Sequence, residues 1–253
     1  MSIQFDSLTT FLLVFVRITT MIAFNPILTR KNVPRQITVG LSLLITVLVS
    51  ANVPTVSGIT PMDVTFLMIS EAFIGFASGY IFRLFYYMIY FAGDILDMQF
   101  GLAMSKVFDP SSSLQISLSG RILEILFVLY FFSTGSHLVL IRIFATSYQI
   151  IPIGEGINLL SGASFVIEAF FSSFILITKL IVPFVITEFV LEVTMGVLMR
   201  LIPQIHVFVI NIQLKILLGI SLLFLFAQPV SAFLDKYLII ILETTEKFLF
   251  SLT

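Results

Sequence analysis

Cysteine does not occur among the 253 residues, and histidine occurs only twice, at His137 and His206. The first absence excludes disulfides, thiolate metal sites and cysteine nucleophiles. The two histidines are too far apart in the sequence for a His-x-x-x-His metal site. The serines at 111–113 lack the sequence context of a catalytic serine. We therefore predict a protein that is not an enzyme and that needs no metal or cofactor.

Charge is also scarce in this chain. Only 11% of the residues are charged and the formal net charge is −1, whereas soluble globular proteins carry about 25% charged residues. The largest basic cluster, Arg30, Lys31 and Arg35, is too small for a nucleic-acid-binding surface, so we expect no nucleic acid partner. By contrast, 58% of the residues are hydrophobic and the mean hydropathy is +1.13. This composition predicts an integral membrane protein.

Six apolar windows are long enough for a membrane-spanning helix, which needs about 20 residues. They cover residues 8–28, 37–56, 64–92, 122–144, 165–199 and 207–227, and an amphipathic tail follows at 230–253. The predicted fold is therefore an all-α membrane protein with a single domain over residues 1–253. The first window lacks a basic leading region, so we interpret it as a retained span rather than a signal peptide. Because proline removes a backbone donor, Pro183 is expected to kink the fifth window or to break it into two helices.

Ten charged residues lie inside or at the edges of these windows. They are Arg17, Glu71, Arg83, Glu124, Glu168, Lys179, Glu188, Glu192, Arg200 and Lys215. A lone ion at the bilayer centre costs at least about 3 kcal/mol, so we do not expect all ten to face lipid. Pairing inside a helical bundle, a water-filled path and packing against other subunits are the open alternatives, together with snorkelling of lysine and arginine to an interface. Glu71, Arg83, Glu188 and Glu192 are the main buried-charge candidates.

Two spacings indicate how the helices are used. Glu188 and Glu192 are four residues apart, so both carboxylates lie on one helix face, and Arg200 falls near the same stripe. No nucleophile or metal-ligating group accompanies them, which favours a structural or ion-path role over catalysis. Gly75 and Gly79 form a small-xxx-small face that lets another helix approach closely. That approach serves either packing within the chain or a subunit interface.

The densest polar stretch covers residues 93–110 and holds four charges. Polarity at that density is costly in lipid and usually marks function. The stretch resembles the central signature of the FliR/SctT family, the single-copy export-gate subunits of bacterial flagellar and type III secretion machines, at Gly93, Gln99, Gly101, Leu102, Asp109 and Pro110. Further similarities follow in order along the chain at Gly75, Gly79, Arg83, His137, Leu138, Pro152, Ile153, Gly154, Gly196, Arg200, Pro203, Gln204, Val207, Phe208 and Lys215.

The resemblance implies a subunit of a flagellar protein export gate in the bacterial inner membrane, within the flagellar basal body. The implied partners are FliP-like, FliQ-like and FlhB-like subunits, and the implied substrates are unfolded proteins that cross a conduit which this chain helps to form and close. Residues 101–115 look like the family's plug loop. The predicted plug residues are Gly101, Met104, Val107, Phe108, Asp109 and Pro110. Glycine permits a non-helical backbone at a cavity, and flexible methionine can seal an irregular gap.

Two alternative functions stay open from the sequence. One is the equivalent export-gate subunit of a virulence-type secretion system, because the flagellar assignment rests on overall similarity. The other is a stand-alone ion- or proton-coupled transporter that uses Glu71, Arg83, Glu188 and Glu192. Such a transporter is expected to show an internal repeat, and none is evident.

Overall fold

The computed structural model describes residues 2–30, 33–56, 61–103, 117–202 and 207–253, which form eight α-helices and no strand. The helices are α1 (Ser2–Ala23), α2 (Arg35–Ser50), α3 (Pro61–Gln99), α4 (Leu118–Ser133), α5 (Ser136–Ile150), α6 (Leu159–Leu201), α7 (Val207–Leu225) and α8 (Ala227–Ser251). Three of them contain spans long and apolar enough to cross a membrane, namely Asp6–Ala23, Met62–Gln99 and Leu159–Leu201. Two bent pairs, α4 with α5 and α7 with α8, raise the number to five if each pair is one span. The predicted all-α membrane protein is confirmed.

Helix breaks fall at other places than the sequence suggests. The window 122–144 contains the end of one helix and the start of the next, because Gly135 adopts a left-handed backbone (φ 74°) directly before α5. Only glycine takes this conformation without a steric penalty. The apolar sequence on both sides of Gly135 therefore predicts one continuous window, whereas the backbone turns at Gly135 and forms two helices.

The expected break at Pro183 is wrong. Helix α6 runs without interruption through Pro183 for 43 residues. The proline ring removes one backbone donor, but the long apolar sequence on either side keeps the remaining helical bonds. The Thr187 hydroxyl donates to the Pro183 carbonyl oxygen at 2.8 Å. One missing donor is thus too small a defect to end a helix of this length.

The first compact unit comprises Met1–Tyr86, Gly135–Phe171 and Leu238–Thr253. Its core is apolar and includes the fully buried Leu13, Ile18, Ile81 and Leu249. Helices α1 and α3 pack closely within it, since a Cβ at Gly75 would lie 2.5 Å from the carbonyl oxygen of Arg17, and a Cβ at Gly79 would lie 2.8 Å from that of Met21. The small-xxx-small face therefore serves packing inside this chain.

The second compact unit comprises Tyr87–Thr134 and Ser172–Tyr237. Its core is rich in phenylalanine, with Phe100, Phe127, Phe131 and Phe184 almost completely buried. Aromatic rings bury large apolar areas and pack edge to face. The Phe184 ring meets Phe100 at 6.1 Å and Phe226 at 5.2 Å between centroids. This core supports the end of α3, where the polar signature begins.

Candidate functional site

The polar signature begins on the last turns of α3, where Asp97 is buried and only 2% exposed. Its carboxylate accepts from the backbone N–H of Leu118 at 2.7 Å and from that of Ser119 at 3.0 Å. Its backbone carbonyl accepts from the N–H of Ala103 at 3.1 Å. A carboxylate at a helix N-terminus satisfies orphan donors and complements the helix dipole. Asp97 therefore joins the end of α3 to the start of α4, on the two sides of residues 104–116.

A second local interaction fixes the start of helix α4. The side chain of Ser117 accepts from the N–H of Gly120 at 3.0 Å, as expected of a serine N-cap. Gly93 faces Gly120 so closely that a Cβ on Gly93 would collide with the Gly120 backbone. We call the group formed by Gly93, Asp97, Ser117 and Gly120 the loop stem. Its glycines let α3 and α4 approach, and its polar groups hold them together.

The chain at the entrance to the predicted plug loop, Phe100 and Gly101, lies against α6 and α7. Phe100 is completely buried against Phe184, and a Cβ at Gly219 of α7 would overlap the Phe100 ring. Gly101 then turns the chain with φ 74°, and the Lys215 side chain lies 3.8 Å from the place where its Cβ would be. The motif residues Gly101 and Lys215, together with Gly219, therefore have direct packing roles here.

Several predicted site residues lie outside the described part of the chain. They are Met104, Val107, Phe108, Asp109 and Pro110 of the plug loop, and Pro203 and Gln204 of the later motif. Among the other motif residues, Gln99 is half-buried at the end of α3 and Leu102 is half-buried in the turn that follows it. His137 is half-buried in the first turn of α5. Pro152 follows α5, and Gly196 lies on α6 with open space around it. The roles of all these residues stay predictions.

The two carboxylates on α6 have different surroundings. Glu192 is exposed, and its carboxylate lies 3.4 Å from the Lys215 ammonium of α7. Glu188, one turn earlier, is completely buried, and neither of its oxygens has a hydrogen-bond partner among the described residues. Arg200 is exposed on α6. The cation beside Glu192 is therefore Lys215 of α7, a partner that the spacing of residues on α6 does not indicate.

A buried ion pair organises the first unit. The Arg17 side chain is completely buried, and its Nε and Nη2 donate to the two oxygens of Glu71. Its Nη1 donates to the carbonyl oxygens of Ser147 at 3.1 Å and Ile151 at 2.9 Å, and its guanidinium lies 4.2 Å from the centre of the Tyr148 ring. Bidentate pairing with additional acceptors is the arrangement that compensates a buried arginine. Glu71 is thus a structural partner that ties α3 to α1 and α5.

Sequence reasoning missed two of these interactions. Arg17 and Glu71 were both expected as charges in apolar windows, but no sequence signal pairs positions 54 residues apart. Asp97 was not singled out, although an aspartate in the last turn of an apolar helix, before a glycine and a loop, is an unusual placement. Arg83 is half-buried on α3 and has its own polar or electrostatic interaction. Among the described residues, no group of three or more histidine, aspartate and glutamate side chains could hold a metal ion.

Comparison with known proteins gives a consistent picture over most of the chain. The family described as "Bacterial export proteins, family 1" matches residues 8–239. The chain is 28% identical to "Flagellar biosynthetic protein FliR" of Escherichia coli K12 over 211 residues, which cover 82% of this chain and 80% of that protein. It is 26% identical to the protein of the same name from Bacillus subtilis 168 over 223 residues, or 86% of each chain.

A third relative is slightly more similar in sequence. The protein of the same name from Buchnera aphidicola subsp. Acyrthosiphon pisum is 31% identical over 225 residues, which cover 88% of this chain and 87% of that protein. The family match includes the loop stem and every helix except the ends of α1 and α8. The chain therefore belongs to family 1 of the bacterial export proteins.

Proposed function

We propose that the chain is a subunit of the flagellar protein export gate in the bacterial inner membrane, at the flagellar basal body. It forms, with FliP-like and FliQ-like subunits and beside an FlhB-like subunit, the conduit through which unfolded flagellar proteins leave the cytoplasm. The observation that carries this proposal is the family match over residues 8–239, together with relatives named for flagellar biosynthesis over most of their length. The apolar helices support a position in the membrane.

We further propose that residues 101–115 close this conduit. The loop stem supports this role, because Asp97 accepts hydrogen bonds from Ala103 near the start of the loop and from Leu118 and Ser119 just after its end. A loop with fixed ends can yield to a substrate in its middle without disturbing the helices. Met104, Val107 and Phe108 supply the apolar surface that excludes water and ions. The seal must be weak enough to open, so its contacts are expected to be few and replaceable.

A double substitution tests the seal. Met104→Gly with Phe108→Gly removes roughly 1–3 kcal/mol of apolar burial per side chain, and the complex should assemble normally but leak small solutes. The matched control is Met62→Gly with Phe66→Gly, since both side chains are exposed on α3. Solute uptake by cells and co-purification of the tagged chain are measured together. A complex that assembles and stays as tight as wild type would show that residues 101–115 are not the seal.

One observation favours a second function, proton or ion coupling. Glu188 is buried in the second unit and has no hydrogen-bond partner in the part of the chain that is described. A buried carboxylate of this kind is a common feature of ion paths in membrane proteins. Glu188→Gln preserves its shape and removes its charge. Lost export from a normally assembled, stable complex would favour this second function, whereas normal export would exclude it.

A further inference from the structure

Helix α6 carries a lysine in the middle of its most apolar stretch. Lys179 is the only charged residue between Glu168 and Glu188. Twenty helical residues rise about 30 Å, which matches the thickness of the hydrocarbon core of a bilayer. The span Leu159–Leu201 has a mean hydropathy of 2.2, the highest among the candidate spans of the described chain. Lys179 therefore lies near the centre of a membrane-thick apolar run.

The Lys179 side chain is exposed, and it has no hydrogen bond or ion pair with any residue that the structure describes. Snorkelling normally brings a lysine ammonium to the lipid headgroups. Here the nearer end of the apolar run, at Glu188, is about 13 Å away along the helix, which is more than the four-carbon stem of lysine spans. A lipid-facing position would leave the cation in hydrocarbon, so the side chain requires an anion within reach.

The residues around Lys179 form a regular stripe. Ile175, Lys179, Val182, Ile186, Phe189 and Val193 are all exposed, and they follow one another at alternating spacings of four and three residues. This is the heptad spacing by which one helix packs along another. We call this stripe the α6 seam. A groove of about 400 Å³ lies beside it, lined by Phe174, Ile175, Thr178, Lys179 and Val182.

We propose that the α6 seam is the docking face for one membrane helix of another subunit, and that this helix carries an aspartate or glutamate opposite Lys179. Charge complementarity identifies the occupant, because lipid tails would satisfy the apolar residues of the seam but not its ammonium. A paired lysine and carboxylate in a low-dielectric interface fix the register of two helices as well as holding them together. This inference rests on the proposed function in one respect: the partner helix is taken to belong to another subunit of the export gate.

Substitutions at Lys179 test the docking in the full complex. Lys179→Leu leaves the partner carboxylate buried without a cation, and Lys179→Glu adds repulsion, so each should reduce co-purification of the tagged chain with its partners about tenfold or more. Lys179→Arg should retain assembly. The matched controls are Lys236→Leu and Lys236→Glu, because Lys236 is also an exposed lysine but belongs to α8 and not to the seam. Unchanged or increased recovery of the complex with Lys179→Leu would overturn the proposal and place Lys179 in lipid.

Photo-crosslinking identifies the occupant directly. A photoreactive residue is introduced at Val182, one turn from Lys179, and the adducts are analysed by mass spectrometry. The expected adduct is a helix of a different subunit with an acidic residue at that level, and exchanging that residue for lysine should rescue Lys179→Glu. Adducts with lipid alone, with a second copy of this chain or with a helix that lacks an acid would each refute the proposal. If the wild-type chain recovers no export subunits at all, the proposed function fails instead.

Discussion

At the scale of single residues, the few polar side chains of this apolar protein hold its helices together. Asp97 joins α3 to α4 through backbone N–H groups, and Arg17 joins α1 to α3 and α5 through Glu71 and two carbonyl oxygens. Buried polar groups are tolerated when all their hydrogen bonds are made. Glu188 lacks such partners in the described chain, which sets it apart from the other two sites.

Asp97→Ala is expected to loosen the end of the predicted plug loop at α4, because the carboxylate is lost while the Asp97 backbone carbonyl still accepts from the N–H of Ala103. Leu118 and Ser119 would lose their acceptor, at about 1–3 kcal/mol for each donor left without a partner, so α4 should fray at its start. The measurement is the rate of trypsin cleavage at Lys106 in the purified complex, which should rise several-fold. Asp94→Ala is the control, since Asp94 is exposed on the same helix. Equal cleavage rates in both variants would contradict the role of Asp97.

Lys215 is expected to matter more for stability than either carboxylate near it. Glu192 is exposed and its pair with Lys215 contributes little, whereas Lys215 is also the cation beside the helical turn that holds the buried Glu188. Lys215→Met should therefore lower the unfolding temperature of the complex, and adding Glu188→Gln should restore much of the loss. Glu192→Gln should change the temperature least. An unchanged unfolding temperature in Lys215→Met would show that a group other than Lys215 stabilises the buried Glu188.

At the scale of helices, apolar windows predicted where helices occur but not where they end. The windows predicted the long helices α1, α3 and α6 because about 20 consecutive apolar residues admit few other structures in a membrane. The break at Gly135 was missed because a turn of this kind needs only one residue with positive φ. The break expected at Pro183 does not occur, because a proline inside a long apolar helix removes a single backbone hydrogen bond. Partners distant in sequence, such as Arg17 and Glu71, depend on tertiary packing that no local pattern encodes.

Substitutions at Gly135 and Gly196 distinguish the effect of backbone conformation on stability from the effect of side-chain packing. A Cβ would meet no atom within 4 Å at either Gly135 or Gly196, but Gly135 has φ 74° while Gly196 lies inside α6. Gly135→Ala should destabilise the protein by about 1 kcal/mol because alanine disfavours the left-handed region. Gly196→Ala should be neutral or stabilising, since alanine is the better helix former. Thermal unfolding of the purified complex measures both. An equal loss of stability in the two variants would contradict the conformational explanation.

At the scale of the whole molecule, much apolar surface stays uncovered. Only 28% of the span Leu159–Leu201 is buried within the chain, and Leu160 and Phe224 are 83% and 85% exposed. Lipid tails can cover such residues, but they cannot stabilise the exposed charges of Lys179, Glu192 and Arg200 on α6. This combination is expected of a subunit whose helices face other proteins of an assembly.

The isolated chain is therefore expected to be poorly stable in detergent. It should unfold without a sharp transition or aggregate, and co-expression with FliP-like and FliQ-like subunits should yield a stable complex with a higher unfolding temperature. Size-exclusion chromatography and thermal unfolding of both preparations measure this difference. A monomer that unfolds cooperatively and gains nothing from those partners would count against an obligate subunit.

The central claim, that this chain belongs to the flagellar export gate, is tested most directly by protein secretion from cells that lack it. Hook and filament proteins in the culture medium are quantified in the wild type, in a strain with the gene deleted and in the deletion strain complemented with the full chain. We predict that secretion of these proteins stops in the deletion strain and returns on complementation, with normal growth throughout. Undiminished secretion of hook and filament proteins by cells without the chain would contradict the account.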